Sequence, residues 1–107
     1  MSFAVKVTTA FDNRDINAIA ALCHEDMVFV DDYDMHARDD WLAIIGKQIE
    51  DGSMVDFSRE RFIVADRRDI FAMEYVRDLD GVPHRITNVC LKRDGKFWRF
   101  QVNRVPV

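Results

Sequence analysis

Carboxylates placed directly after a short apolar run are the most informative feature of this chain. Asp31, Asp32 and Asp34 fall within four residues of one another, just past a Met-Val-Phe-Val segment that has the character of a buried strand. Tyr33 and His36 stand beside them. A carboxylate at the edge of an apolar interior is partly desolvated, which strengthens it as a general base. We interpret Asp31 as the functional carboxylate, and Asp32 and Asp34 as solvated turn residues.

The spacing of these side chains does not indicate a metal site. A calcium loop needs a central glycine and a zinc-binding helix needs two histidines one turn apart, and the chain has neither pattern. Cys23 and Cys90 also lack metal-ligand spacing and are predicted to be small buried side chains. We therefore predict no metal and no cofactor.

The overall charge excludes one class of partner. The 107 residues carry a net charge of −4, and no basic run is longer than a pair such as Arg67-Arg68, so no basic stripe could follow a phosphate backbone. No segment approaches the length of a membrane span, and the first residues lack the apolar core of a signal peptide. We expect no nucleic acid or membrane partner, and a cytoplasmic location.

The elements that would position Asp31 follow from periodicity and turn residues. Two short helices are predicted before it, the second capped by Asp15, and a third runs from Asp39 or Asp40 to Gly52. Turn sequences Asp80-Gly81 and Asp94-Gly95 predict hairpins between later strands. These strands are predicted at residues 62–65, 70–77, 82–92 and 97–105. Residues 1–107 are therefore predicted to be one α+β domain.

This order of elements resembles the nuclear transport factor 2-like superfamily, in its SnoaL-like and ketosteroid isomerase-like branch. The matching segments are NRDINAIAALCHEDMVFVDD and RDGKFWRFQVNRV. The resemblance implies a cone-shaped fold of three N-terminal helices packed on a curved, mostly antiparallel sheet. It also implies dimerisation through the sheet, and a hydrophobic small-molecule ligand or substrate.

Position by position, the resemblance is incomplete at the site. Asp31 falls where ketosteroid isomerase keeps its proton-transferring carboxylate, but the isomerase's tyrosine donor is matched by Val7. Its second acid is matched by Thr87 or Asn88, and the acid of SnoaL-like cyclases by Asn103-Arg104. Neither known arrangement is complete in this chain.

Strand alternation predicts which side chains face the interior. We assign catalytic roles to Asp31, as general base, and to Tyr75 or Arg104, which would stabilise developing negative charge. The predicted ligand-binding set is Tyr33, His36, Trp41, Phe71, Met73, Thr87, Val89, Trp98, Phe100 and Val102, with Arg77 and Leu91 as further inward positions. The opposite face is predicted to show Ala72, Val76, Ile86, Cys90 and Phe97, among Glu74, Arg99 and Gln101.

Two questions stay open at this level. Arg104 either pairs with Asp31, which would make the carboxylate a poor base, or binds an anionic group of the ligand. The interior is either an apolar cavity or a core filled by aromatic rings. The leading hypothesis is a small-molecule-binding protein with cofactor-free isomerase, cyclase or dehydratase chemistry. The alternative is a non-catalytic binding or dimeric interaction module, and a homodimer is predicted in both cases.

Overall fold

The computed structural model describes residues 1–107, which form three helices and six strands. The helices are α1 (Phe3–Asp12), α2 (Ile16–Ala21) and α3 (Arg38–Asp51). The strands are β1 (Cys23–Asp31), β2 (Asp34–Ala37), β3 (Phe62–Asp66), β4 (Ile70–Leu79), β5 (Val82–Arg93) and β6 (Lys96–Pro106). The predicted α+β class is confirmed. None of the helices combines the length and apolar character needed to cross a bilayer.

The helix boundaries follow from local chemistry. The Ser2 hydroxyl accepts a hydrogen bond from Val5 at the start of α1, and the Asp15 carboxylate accepts one from Ala18 at the start of α2. The predicted Asp15 cap is thus confirmed. Gly52 ends α3 with a φ of 78°, a left-handed conformation that glycine adopts without strain.

All six strands form one sheet in the order β2-β1-β6-β5-β4-β3. Every neighbouring pair is antiparallel except β1 and β6, which run parallel. The β4–β5 and β5–β6 hairpins turn at Asp80-Gly81 and Asp94-Gly95, and all four residues have positive φ. This is the geometry of the tight turn that matches strand twist, so both predicted hairpins are confirmed. Strand β2 was not predicted.

The hydrophobic core lies between the three helices and the face of the sheet that they cover, which we call the inner face. Eighteen buried residues form one cluster there, and Ile19 and Phe97 are fully buried within it. A partly buried ion pair lies at the edge of this core. Lys92 donates to Asp66 at 2.8 Å, and the Asp66 carboxylate also accepts from the Ala4 amide at the start of α1.

The predicted sidedness of β5 is wrong by one residue. Thr87, Val89 and Leu91 lie on the outer face, whereas Ile86 and Cys90, predicted to lie outside, are buried on the inner face. The two-residue turn pairs Leu79 with Val82, and the register that follows sets each inward residue of β4 opposite an even-numbered residue of β5. Directly opposed residues share a face, so the whole inner set shifts.

For β6, the prediction of which side chains face inward is wrong only at Phe97 and Trp98. The β5–β6 register shifts between Leu91 and Lys92, because Lys92 pairs with Phe97 while Leu91 pairs with Arg99. Trp98 is the extra residue of this bulge. Phe97 is therefore the buried inner residue, and Trp98 lies away from the interior with the Arg99 guanidinium 4.0 Å from its ring centre.

The outer face of the sheet has no helix over it. It combines apolar and polar side chains, and several of the apolar ones are exposed, including Leu91, Val105 and Phe62. Ala72, Val76, Glu74, Arg99 and Gln101 belong to this face as predicted. The outer face is thus less apolar than the sequence predicted, because Ile86, Cys90 and Phe97 lie inside.

Both cysteines are buried and free. Burial raises the pKa of the Cys23 and Cys90 thiols to about 12. Thiolates are the reactive form of cysteine, so these two side chains act as small packed groups.

Candidate functional site

The inner face presents side chains in rows that cross the strands, because opposed residues on paired strands point to the same side. On β4, β5, β6 and β1, the deepest of three successive rows is apolar apart from a thiol, the next is mixed, and the third is the most polar. From deepest to shallowest they are Phe71, Cys90, Phe100 and Phe29; then Met73, Asn88, Val102 and Asp31; then Tyr75, Ile86 and Arg104. His36 on β2 continues the first of these rows. Polarity thus increases along the strands in one direction.

Helix α3 and the segment after it form the opposite wall. Trp41, Ile44, Ile45 and Gln48 are spaced at three, four and seven residues, so one face of α3 is turned to the sheet. The segment 52–61, which has no helix or strand, adds Ser53, Val55 and Phe57, and α1 adds Val7 and Phe11.

A cavity of about 220 Å³ lies between these walls. Of its 21 lining residues, 14 are hydrophobic, so the space suits an apolar guest with a limited number of polar contacts. The rings of Phe29, Trp41 and Phe100 lie within 5.8 Å of one another, centre to centre, but do not fill the space. An engineered cavity of roughly 150 Å³ binds benzene, so a one- or two-ring molecule could fit here.

The polar end of the cavity contains a two-point ion pair. Arg104 donates from Nη1 to Oδ1 of Asp31 at 2.5 Å and from Nη2 to Oδ2 at 3.0 Å. A third contact, to Oδ2 of Asp32, is 3.3 Å long. The hydrogen bonds that Arg104 donates to Asp31, more than any other influence, raise the pKa of Arg104. Of the two roles that the sequence left open for Arg104, the structure shows the pairing with Asp31.

Tyr75 and Asn88 supply neutral polar groups next to this pair. Both side chains are buried and line the cavity. Burial raises the pKa of the Tyr75 hydroxyl, and hydrogen bonding to Asn88 opposes that rise. The hydroxyl is therefore protonated at neutral pH and able to donate. The Tyr75 ring is held edge-on by Phe57, with centres 5.1 Å apart.

Arg77 is the second arginine of the lining, two residues beyond Tyr75 on β4 and nearer the Asp80-Gly81 turn. His36 lines the cavity from β2 and faces Phe29, its partner in the sheet. Arg77 therefore adds positive charge beyond the row of Tyr75 and Arg104, whereas His36 lies in the row of Phe29.

Most of the predicted site residues come together around this cavity. Those that line it are Asp31, Tyr75, Arg104, His36, Trp41, Phe71, Met73, Phe100 and Val102. Their roles in binding or catalysis stay predictions. Four predicted ligand-binding residues do not line it: Thr87 and Val89 are on the outer face, Trp98 is in the bulge, and Tyr33 is fully exposed in the β1–β2 turn.

Sequence reasoning missed Asn88, Gln48 and the segment 52–61. Asn88 could have been found, because the two-residue turn at Asp80-Gly81 sets it opposite Met73. The segment 52–61 has no periodicity that would indicate an inward side. No group of three or more His, Cys, Asp or Glu side chains is placed to hold a metal ion.

A six-stranded sheet with helices over one face and a cavity between them defines the class of this protein. Solved structures of the same fold include a protein from Sphaerobacter thermophilus (14% identity, 98% of this chain and 94% of that chain, TM-score 0.75). An NTF-2 like protein of unknown function from Burkholderia xenovorans is 12% identical over 98% of this chain and 84% of its own, with TM-score 0.72.

A third structure, an LEH-like epoxide hydrolase from M. tuberculosis, is 12% identical over 96% of this chain and 80% of its own, with TM-score 0.67. A candidate ketosteroid isomerase and a candidate polyketide cyclase are similar in fold as well. No protein-family model and no curated protein matches the sequence. The resemblance to nuclear transport factor 2-like proteins is confirmed as a shared fold.

Proposed function

We propose that the protein binds a small, largely hydrophobic molecule in this cavity, with its polar group toward Tyr75, Asn88 and the Asp31–Arg104 pair. The observation that carries the proposal is the gradient along the inner face, from the apolar row of Phe71 to the polar row of Tyr75. Such a gradient gives a guest both its driving force and its orientation. Fold neighbours described as an epoxide hydrolase, an isomerase and a cyclase agree with a small organic ligand.

Binding is tested by calorimetric titration with 2-naphthamide, a neutral two-ring probe with one polar group. Wild type is expected to bind it, and Met73→Trp, which places a larger ring in the cavity, is expected to abolish binding. Leu91→Trp is the matched control, because Leu91 is 47% exposed on the outer face. Equal binding by the two tryptophan variants would show that the probe occupies another place.

General acid–base catalysis is the second candidate, favoured by the position of Asp31 in the cavity wall beside Tyr75. Both carboxylate oxygens accept hydrogen bonds from Arg104, so a proton from a ligand would be taken up on a lone pair that Arg104 leaves free. Of the two residues that the resemblance matches to the isomerase's second acid, Asn88 lines the cavity and Thr87 does not. The Asn88 amide can donate to an oxygen without being protonated. Reactions of this type would need no cofactor.

Catalysis is tested by following hydrogen–deuterium exchange at the α-carbon of 2-tetralone in deuterated buffer by NMR. Wild type is expected to accelerate exchange, Asp31→Asn to lose the acceleration, and Leu91→Trp to keep it. If wild type leaves the exchange rate unchanged, general-base chemistry on ketones is excluded while the binding proposal stands.

The outer face supports a proposal about assembly. Exposed Leu91, Val105 and Phe62 lie on an uncovered sheet that also carries Arg85 and Glu74 as an ion pair. A second copy of the chain would remove these apolar groups from water. We therefore retain the homodimer as the proposed assembly.

A further inference from the structure

Arg77 differs from the arginines near it because it has no carboxylate partner. Arg104 pairs with Asp31, Arg85 with Glu74, and Arg59 with Asp78. The adjacent acid Asp78 is thus already occupied by Arg59, and no hydrogen bond holds the Arg77 guanidinium. Arg77 is half-buried and lines the cavity. It is the unpaired cation of the lining.

The cavity lining also contains more positively than negatively charged side chains. Two arginines, Arg77 and Arg104, face one carboxylate, Asp31, so the lining has a net charge of +1 with His36 neutral. The whole chain, in contrast, has a net charge of −4. Asp31 and Asp32 both contact Arg104. Arg77 is therefore the cation of the lining without a carboxylate contact, which favours an anionic guest over a cationic one.

Arg104 is not free to supply this recognition. Its guanidinium already donates to both oxygens of Asp31 and lies 3.3 Å from Asp32. An anion that replaced these contacts would leave the Asp31 carboxylate unpaired in the cavity wall, which is costly. Arg77 has no such contact to lose.

Building on the proposed function, we propose that the cavity takes a hydrophobic acid whose carboxylate is held by Arg77. A guanidinium offers two parallel N–H donors that match the two oxygens of a carboxylate, and it sheds its hydration more readily than an ammonium group. The inner-face gradient places the hydrocarbon part of the acid against the rows of Met73 and Phe71. The Asp31–Arg104 pair stays intact beside the bound acid.

The test compares 2-naphthoic acid with 2-naphthamide, which has nearly the same shape and no charge at pH 7.5. Wild type is expected to bind the acid about tenfold more tightly, the size of effect that one charge-assisted hydrogen bond provides. Arg77→Met is expected to bind the two probes equally. Arg77→Lys keeps the charge but not the two-point geometry, and is expected to retain part of the preference.

Arg85→Met is the matched control, since Arg85 is an exposed arginine on the outer face of the neighbouring strand. It should keep the full preference of wild type. Equal binding of acid and amide by wild type, or a preference that survives Arg77→Met, would overturn the inference. In either case amide binding that is blocked by Met73→Trp would leave the proposed function intact, whereas absence of binding by both probes would remove both.

Discussion

Arg104 on β6 holds both carboxylate oxygens of Asp31 on the parallel strand β1. The two residues are diagonal neighbours on the inner face, because Asp31 is paired with Val102, two residues before Arg104. The Asp31 side chain is 33% exposed and the Arg104 side chain is 26% exposed, so the pair lies at the boundary between the interior and solvent. It links the only parallel strands of the sheet at the polar end of the cavity.

The strength of this pair can be measured by a double-mutant cycle with Asp31→Asn and Arg104→Gln. A coupling free energy of about 1–2 kcal/mol is expected from urea unfolding, because the contact is two-point and half-buried. The exposed single-contact pair Arg59–Asp78 is the control and should couple by less than about 0.5 kcal/mol. A cycle that gave the same coupling for both pairs would contradict the importance of the two-point geometry.

Tyr75→Phe should weaken ligand binding while keeping the aromatic packing around residue 75. The hydroxyl lines the cavity while the ring packs edge-on against Phe57, so removing the oxygen deletes a donor to the ligand and keeps the packing. Affinity for 2-naphthamide is expected to fall about fivefold, as for loss of one neutral hydrogen bond of roughly 1 kcal/mol. Calorimetric titration measures it, and an unchanged affinity would show that the Tyr75 hydroxyl makes no contact with the probe.

Stability at acid pH should depend on Asp66. The hydrogen bond from Lys92, whose side chain is only 6% exposed, holds the pKa of Asp66 below its usual value. Because the folded pKa is the lower one, the stabilisation is complete above the unfolded pKa of about 3.9 and is lost as pH falls through the folded pKa.

The measurement for Asp66 is the free energy of unfolding of wild type and Asp66→Asn as a function of pH. The difference is expected to be about 2 kcal/mol and constant from pH 7 to about pH 5, and to shrink below about pH 4. Asp69→Asn, a nearby exposed aspartate that forms no ion pair, should show no such trend. A difference that persisted undiminished at about pH 2 would contradict the assignment.

The proposed homodimer is tested by light scattering at micromolar concentration, where wild type should have twice the mass of one chain. Val89→Lys places a charge on the outer face of β5 and is expected to give a monomer, because an unpaired ammonium would be buried in the interface. Val5→Lys, an equivalent change on the exposed side of α1, should leave the dimer intact. A wild-type monomer would refute the assembly.

The fold was predictable because its turns have unambiguous chemistry. Asp80-Gly81 and Asp94-Gly95 are strong signals for two-residue hairpin turns, and Asp15 could be recognised as a cap from local sequence alone. Strand β2 was not predicted because it has only four residues, Asp34–Ala37, and none of them is fully buried. Its pairing with β1 is decided by contacts that short-range patterns do not contain.

The sequence predicts which side chains of a single regular strand face inward. It predicts the register and contacts between strands less well. Alternation correctly placed Phe71, Met73 and Tyr75 on the inner face of β4, since regular strands keep their period. It failed at Trp98 because a bulge inserts a residue without any distinguishing glycine or proline. Asn88 could have been predicted from the hairpin register. The sequence offered the Asp31–Arg104 pair as one of two alternatives, and the choice between them depended on β1 and β6 becoming neighbours.

One of the two tryptophans lies in the cavity wall and the other lies outside it. The intrinsic fluorescence of the protein can therefore report whether the cavity is occupied. Trp41 forms part of the cavity wall, and Trp98 lies in the bulge with its indole nitrogen buried and the Arg99 guanidinium over its ring. An occupant would change the emission of the first indole and leave the second as a constant background. Replacing Trp98 with phenylalanine would leave a chain whose fluorescence reports occupancy alone, with no label attached and whatever the chemical nature of the natural guest.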